Sequence, residues 1–201
     1  VWMSRLPMRL PIQRWRSWPV VASIVLVAVV VLGAVVYEGQ RAPSAVATRD
    51  TTITVPAGPG DAGTVALDGT LYVPDAVPAP AVLLAHGFGG SKESIAGQAR
   101  QLARDGFVVL AYSARGFGSS TGSIHLNDPE REVADARELV TWLANQPEVE
   151  LDAPGDPHVG VAGASYGGAL ALMLGGTDPR IDSIGAAITV KRAFTVPSRL
   201  V

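Results

Sequence analysis

Two segments of this chain match G-x-S-x-G, a pattern in which a serine hydroxyl can serve as a nucleophile. They are Gly163-Ala164-Ser165-Tyr166-Gly167 and Gly118-Ser119-Ser120-Thr121-Gly122. The glycines matter because such a serine sits on a strained strand-to-helix turn, where a larger neighbour would collide with adjoining backbone. Ser165 follows an apolar run at 159–162 and precedes a small-residue helical stretch at 167–174, whereas Ser120 lies in a polar Gly/Ser loop. Only Ser165 therefore has the strand–turn–helix context that the pattern requires. The turn lifts the hydroxyl above a sheet, and the helix N-terminus beyond it aims amides at a developing oxyanion. The chemistry implied is acyl transfer, the hydrolysis of an ester or amide through an acyl-enzyme at Ser165.

The elements that must position this serine are readable from the periodicity. β-rich runs at 51–55 and 64–73 flank Pro-Ala-Gly-Pro-Gly and predict an antiparallel hairpin. Continuous apolar runs at 81–85, 107–112, 159–162 and 184–190 read as strands buried on both faces. Between them lie two amphipathic helices. One has Ser91 as its cap and Ile95, Ala99, Leu102 and Ala103 inward, and ends at Gly106. The other opens at Asp128-Pro129, turns Val133, Ala136, Val140 and Leu143 inward, and closes by Pro147. Strands alternating with helices predict an α/β fold with a doubly wound, mainly parallel sheet.

His86-Gly87-Phe88-Gly89-Gly90 follows the first buried strand, where a loop can present a second amide to the oxyanion. The amides of Phe88 and Tyr166 are thus the expected oxyanion hole, with Gly163 and Gly167 framing the elbow. His86 lies on the oxyanion side and reads as a loop-bracing histidine rather than a base. Arg115 reads as a structural residue that bonds loop carbonyls or an acid near the sheet edge. His125 and His158 show no ligand spacing, so no metal or other cofactor is expected.

Composition bounds the rest. A net charge of −2, with no basic stripe beyond residue 18, argues against a nucleic-acid partner. With no cysteine there is no disulfide and no thiolate chemistry. Four arginines within residues 1–18 precede an uncharged apolar stretch at 19–37, which is just long enough for a membrane helix of roughly 20 residues. The arginine bias keeps the N-terminus cytoplasmic and exports the remainder of the chain. A cleavable signal peptide, with Ala45-Val46-Ala47 as its cleavage site and a secreted product, is the alternative. Residues 38–50 read as a linker, and 51–201 as a partial catalytic domain.

At these motifs the chain resembles the X-prolyl dipeptidyl-peptidase and cocaine-esterase-like α/β-hydrolases, over roughly residues 64–189. The marks are D-G-T-L-Y-V-P, H-G-F-G-G, A-R-G-F-G-S-S-T-G and G-A-S-Y-G. The resemblance implies an α/β-hydrolase fold and a small-molecule ester or peptide substrate. Ser113 departs from it, because relatives often carry aspartate there, which puts one hydrogen bond near the oxyanion loop in question. Such a fold places its acid and then its histidine after the serine. No histidine follows Ser165, and Asp178 and Asp182 come too early. Residues 190–201 no longer resemble the family, as a frameshift or truncated reading frame would produce. The expectations are an inactive chain and an exposed apolar edge at 184–190. A membrane-tethered binding module that kept the elbow without the chemistry is the alternative function.

Overall fold

The computed structural model describes residues 23, 26–30, 46–188 and 192–196. Most of the expected membrane helix at 19–37, and all of the basic segment before it, lie outside these residues. Ser23 and residues 26–30 are helical, with Leu26, Val27, Val29 and Val30 exposed. Among the described residues no helix is long and apolar enough to cross a membrane. Residues 1–43 and 44–201 form two separate units, and the second carries the sheet and every motif named above.

A seven-stranded mixed sheet runs through the second unit in the order β1-β2-β4-β3-β7-β8-β9. The hairpin is β1 (Ala47–Pro56) and β2 (Thr64–Val73), antiparallel and paired from Ala47↔Val73 to Pro56↔Thr64. Strand β1 starts four residues before the composition predicts, inside the expected linker. The ladder of β2 offers partners along its whole length, and backbone pairing outweighs the polar character of Thr48, Arg49 and Asp50. Their side chains are tied down as well: Arg49 meets Glu148 at 3.2 Å, and Asp50 accepts from Thr70 at 2.5 Å.

Strands β3 (Ala81–Ala85), β4 (Val108–Tyr112), β7 (Val159–Ala164) and β8 (Ile181–Ile188) are mutually parallel. Helix α1 (Ala96–Arg104) follows a single turn of 3-10 helix, Lys92–Ile95, capped by Ser91. Helices α2 (Glu132–Ala144) and α3 (Tyr166–Gly175) pack on the opposite face. Alternation within the central strands explains their unbroken apolar sequences. Leu83, Val108 and Leu110 meet α2 and α3 on one face, while Leu84, Val109 and Ala111 meet Ala99 and Ala103 of α1 on the other. A small hairpin, β5 (Leu151–Ala153) with β6 (Asp156–Pro157), joins α2 to β7.

Helix α2 and strand β8 also differ from expectation, β8 running Ile181–Ile188 where the sequence predicts 184–190. Helix α2 starts at Glu132, because Asp128 first caps a separate turn: its carboxylate accepts the Glu130 amide at 2.8 Å and its carbonyl the Arg131 amide at 3.2 Å. The expected apolar edge at β8 is also corrected. Strand β9 (Arg192–Val196) pairs antiparallel with it from Ile184↔Val196 to Ile188↔Arg192, so the ladder of β8 is engaged on both sides.

Strand β3 leads to β4 on one side of the sheet, and β7 leads to β8 on the other. Adjacent parallel strands whose connections diverge leave a crevice at their C-terminal ends, where ligands of open α/β sheets bind. The loop at 86–90 and Ser165 both stand at that crevice.

Arg115 occupies the loop after β4, only 2% exposed, and forms a forked pair with Asp135 of α2 at 2.7 and 2.5 Å. A third bond runs from Nη1 to the Ala57 carbonyl at 2.7 Å, so the guanidinium joins hairpin, loop and helix. Its expected structural role is observed. Removing one partner of a buried pair strands the other charge. Asp135→Ala is therefore expected to lower unfolding free energy by about 3–5 kcal/mol, read as a drop in urea midpoint.

Candidate active site

Ser165 takes φ 53 and ψ −115, a backbone conformation disfavoured for a residue with a Cβ, and forms the N-cap of α3. Its amide donates to the Ala187 carbonyl of β8 at 2.8 Å, and its carbonyl accepts the Ala169 amide at 3.0 Å. The side chain makes no capping hydrogen bond and is exposed. The hydroxyl therefore stands free at the C-terminal end of the sheet.

The two framing glycines explain how the turn fits. A Cβ on Gly163 would lie 2.5 Å from the Gly167 carbonyl carbon, and one on Gly167 only 2.4 Å from the Ala85 carbonyl oxygen. Both contacts are with backbone, which cannot swing aside. The first turn of α3 thus rests directly on the end of β3, and the following loop meets the serine: a Cβ on Gly87 would be 4.0 Å from that of Ser165. Phe88 sits in the tight turn closed by the Gly90 amide on the Gly87 carbonyl at 3.0 Å. Its ring meets Tyr166 edge-on at 5.9 Å and Phe117 at 5.4 Å. Tyr166 is the first residue of α3, so its amide lies among those with no intrahelical acceptor. The five residues expected from the sequence are therefore brought together.

His125 Nδ1 lies 2.9 Å from the Ser123 carbonyl. His86 is 2% exposed; its Nδ1 lies 2.7 Å from the Gly87 carbonyl, and its Nε2 accepts the Ala114 amide at 3.0 Å. An Nε2 that accepts leaves the proton on Nδ1, so the ring is fully used in joining the loops after β3 and β4. Burial holds its pKa below the ordinary imidazole value, against the opposing pull of the Gly87 carbonyl. Ser120, in the second G-x-S-x-G, is equally committed: it donates to the Ser113 carbonyl at 2.7 Å and accepts the Asp68 amide at 2.9 Å. The Ser113 hydroxyl accepts the Lys92 amide at 3.1 Å.

His158 belongs to a group that sequence spacing hides. Asp152, His158 and Asp182 bring ligand-type atoms within 4.8 Å of one another, with His158 Nδ1 2.9 Å from Asp152. That bond raises the His158 pKa. These residues come together only when β5 and β8 close on the N-terminal end of β7. Ser165 follows the other end of β7, so the group takes no part in its surroundings. Asp178 pairs with Arg180 at 2.7 Å, and Asp182 accepts the Val159 amide at 2.8 Å, so neither serves Ser165.

Sequence reasoning missed Asn127. It is 6% exposed and donates from Nδ2 to the Tyr166 carbonyl at 2.9 Å. Only the neighbouring Asp128-Pro129 turn hinted at an irregular loop.

Two outcomes are expected from this geometry. Gly167→Ala is expected to destabilise the domain by about 1–3 kcal/mol or more, because its Cβ meets backbone, with a lowered thermal midpoint as the measure. A lowered folded-state pKa for His86 means that the unfolded chain takes up a proton near pH 6.5 before the folded chain does. The stabilisation is therefore present above that pH and lost as pH falls below it. His158 acts in the opposite sense but is screened, its side chain being 46% exposed. Thermal midpoints of wild type should thus fall more steeply from pH 7 to pH 5 than those of His86→Gln.

Comparison with known proteins accords with this architecture. Residues 62–191 match the family model of X-Pro dipeptidyl-peptidase (S15 family). The thiohydrolase aneE of Aspergillus aculeatus is 33% identical over 117 residues, covering 57% of this chain and 35% of its own length. A monoacylglycerol lipase of Mycolicibacterium smegmatis is 34% identical over 110 residues, covering 54% and 37% respectively. This chain thus spans about a third of the length of these relatives. Among solved structures, a hypothetical protein from Pseudomonas aeruginosa superposes with a TM-score of 0.58 at 27% identity, over 72% of this chain and 44% of that one. The α/β hydrolase GrgF from a Penicillium species, at 24% identity, gives a TM-score of 0.58 over 71% and 45%, which speaks for the fold. Fold, elbow and family match agree: the chain belongs to the X-Pro dipeptidyl-peptidase (S15) family of α/β-hydrolases.

Proposed function

We propose that Ser165 is the nucleophile of a serine hydrolase that cleaves ester, thioester or peptide bonds through an acyl-enzyme. The observation that carries this reading is the strained Ser165 backbone between two glycines that tolerate no Cβ. Backbone strain of this kind is retained where the surrounding structure over-determines it, and it clusters at active sites. In the acylation step, Ser165 Oγ attacks the carbonyl carbon and the carbonyl oxygen gains negative charge. The Phe88 and Tyr166 amides then stabilise that charge with little reorganisation. A base must remove the hydroxyl proton and return it to the leaving group. The hydrolase activities named for the two relatives support the reaction class, and their greater length is consistent with a base and acid carried by residues outside these 201.

Among the described residues no histidine bonds to the Ser165 hydroxyl: His158 meets Asp152, His125 the Ser123 carbonyl, and His86 is locked to backbone. That last observation also favours the second reading, a binding module that retains the elbow without turnover. The uncharged stretch at 19–37, with four arginines before it and Glu38 directly after, further supports anchoring of the N-terminus in a membrane and export of the hydrolase unit.

Fluorophosphonate labelling tests the proposal. The 201-residue chain is expected to label weakly or not at all, and a polypeptide extended by a family acid and histidine to label at Ser165, with Ser165→Ala abolishing the signal. An extended protein that never labels at Ser165 would favour the binding module. Protease protection in membrane vesicles checks the topology: the anchor reading expects the hydrolase unit on the side opposite the N-terminus.

A further inference from the structure

Two consecutive residues near the elbow, Leu126 and Asn127, take φ 56 and 64. Left-handed backbone is uncommon for any residue with a Cβ and rarer still for leucine. Two bonds hold the pair there. The Glu132 carboxylate, 2% exposed at the start of α2, accepts the His125 amide at 2.5 Å and the Asp128 amide at 2.9 Å. By gripping the chain on both sides, Glu132 forces the two residues between to bulge. The bulge sends Leu126 outward, 70% exposed, and Asn127 inward, 6% exposed. There the Asn127 amide reaches the Tyr166 carbonyl at 2.9 Å, while its Oδ1 is buried without a partner. An unmet buried carbonyl is unfavourable, and a residue retained under that cost calls for an explanation beyond filling a turn.

We infer that Asn127 is a positioning residue for the elbow, holding the Tyr166 peptide so that the preceding amide of Tyr166 points at the oxyanion. The inference rests on Ser165 being the nucleophile. The Tyr166 carbonyl and amide flank one Cα, so with the carbonyl plane held the amide plane keeps only the φ and ψ rotations of Tyr166. Glu132, the bulged loop and Asn127 thus link the N-terminus of α2 to the N-terminus of α3. In this way a rigid helix, rather than the loop itself, sets the donor direction.

The test compares two glycine substitutions in the 201-residue chain by amide NMR, with thermal midpoint as the control for folding. Asn127→Gly keeps the left-handed backbone and removes the side-chain amide. Leu126→Gly relieves the same kind of strain and leaves the amide in place. In Asn127→Gly the Tyr166 and Gly167 amide resonances are expected to shift, because the Tyr166 carbonyl loses its side-chain donor. In Leu126→Gly they are expected to stay as in wild type. Tyr166 and Gly167 resonances that stay as in wild type in Asn127→Gly, or equal disturbance in both variants, would overturn the inference. A separate arm measures fluorophosphonate labelling at Ser165 in an extended, labelling-competent protein, where Asn127→Gly is expected to slow it about tenfold or more, as for loss of oxyanion alignment. An unchanged labelling rate would also overturn the inference. Failure of every extended protein to label while the elbow amides respond as expected would instead count against the hydrolase reading.

Discussion

The first turn of α3 lies against the carbonyl end of β3, and the rest of the candidate site depends on that contact. A Cβ at position 163 or 167 would stand within 2.5 Å of backbone atoms. With glycine at both positions, the helix descends far enough for Ser165 to bridge strand and helix in one residue, at the cost of a left-handed φ. The same closeness brings Gly87 beside Ser165 and the Phe88 ring against that of Tyr166. Because β3 and β7 are neighbours whose connections diverge, the opening between them stays clear of both connections.

Polar groups buried behind the opening hold its loops. His86 ties the loop after β3 to the loop after β4, Ser120 and Ser113 knit the latter onto β2 and the Lys92 turn, and Arg115 fastens it to α2. Each of these four is buried, so exchange of its hydrogen bonds with water is restricted, and a partner lost would leave a desolvated group behind. A frame of this kind suits backbone donors that must not reorganise as charge appears. It also accounts for tempting residues that take no part in the chemistry: His86 and Arg115 spend their hydrogen-bonding capacity on the frame.

The apolar rings beside the serine complete the surroundings. Phe88, Phe117 and Tyr166 pack in tilted and edge-on pairs, with Phe88 61% exposed. Burial pushes the Tyr166 hydroxyl up to about 12, which keeps it neutral across the physiological range. The opening is therefore lined by rings that carry no charge.

Period and punctuation alone were enough to predict the parallel strands, the helices between them and the rank of Ser165 over Ser120. Continuous apolar runs arise only where a strand is covered on both faces, and glycines flanking a serine between strand and helix have few other uses. Local signals marked His86 and Arg115 as braces, but not the partners that they and the other polar side chains reach. The start of β1 at Ala47 depended on the length of its partner, and the cover on β8 on a segment with no family likeness. Asp152, His158 and Asp182 met through sheet closure. Asn127 reached Tyr166 only because Glu132 gripped the loop on either side. The amino-acid sequence by itself determined the alternation of elements and the strained serine, since both are written in neighbouring residues. Tertiary structure decided which polar groups brace and which stay free, because hydrogen-bond partners dozens of residues apart are chosen by packing, not by spacing.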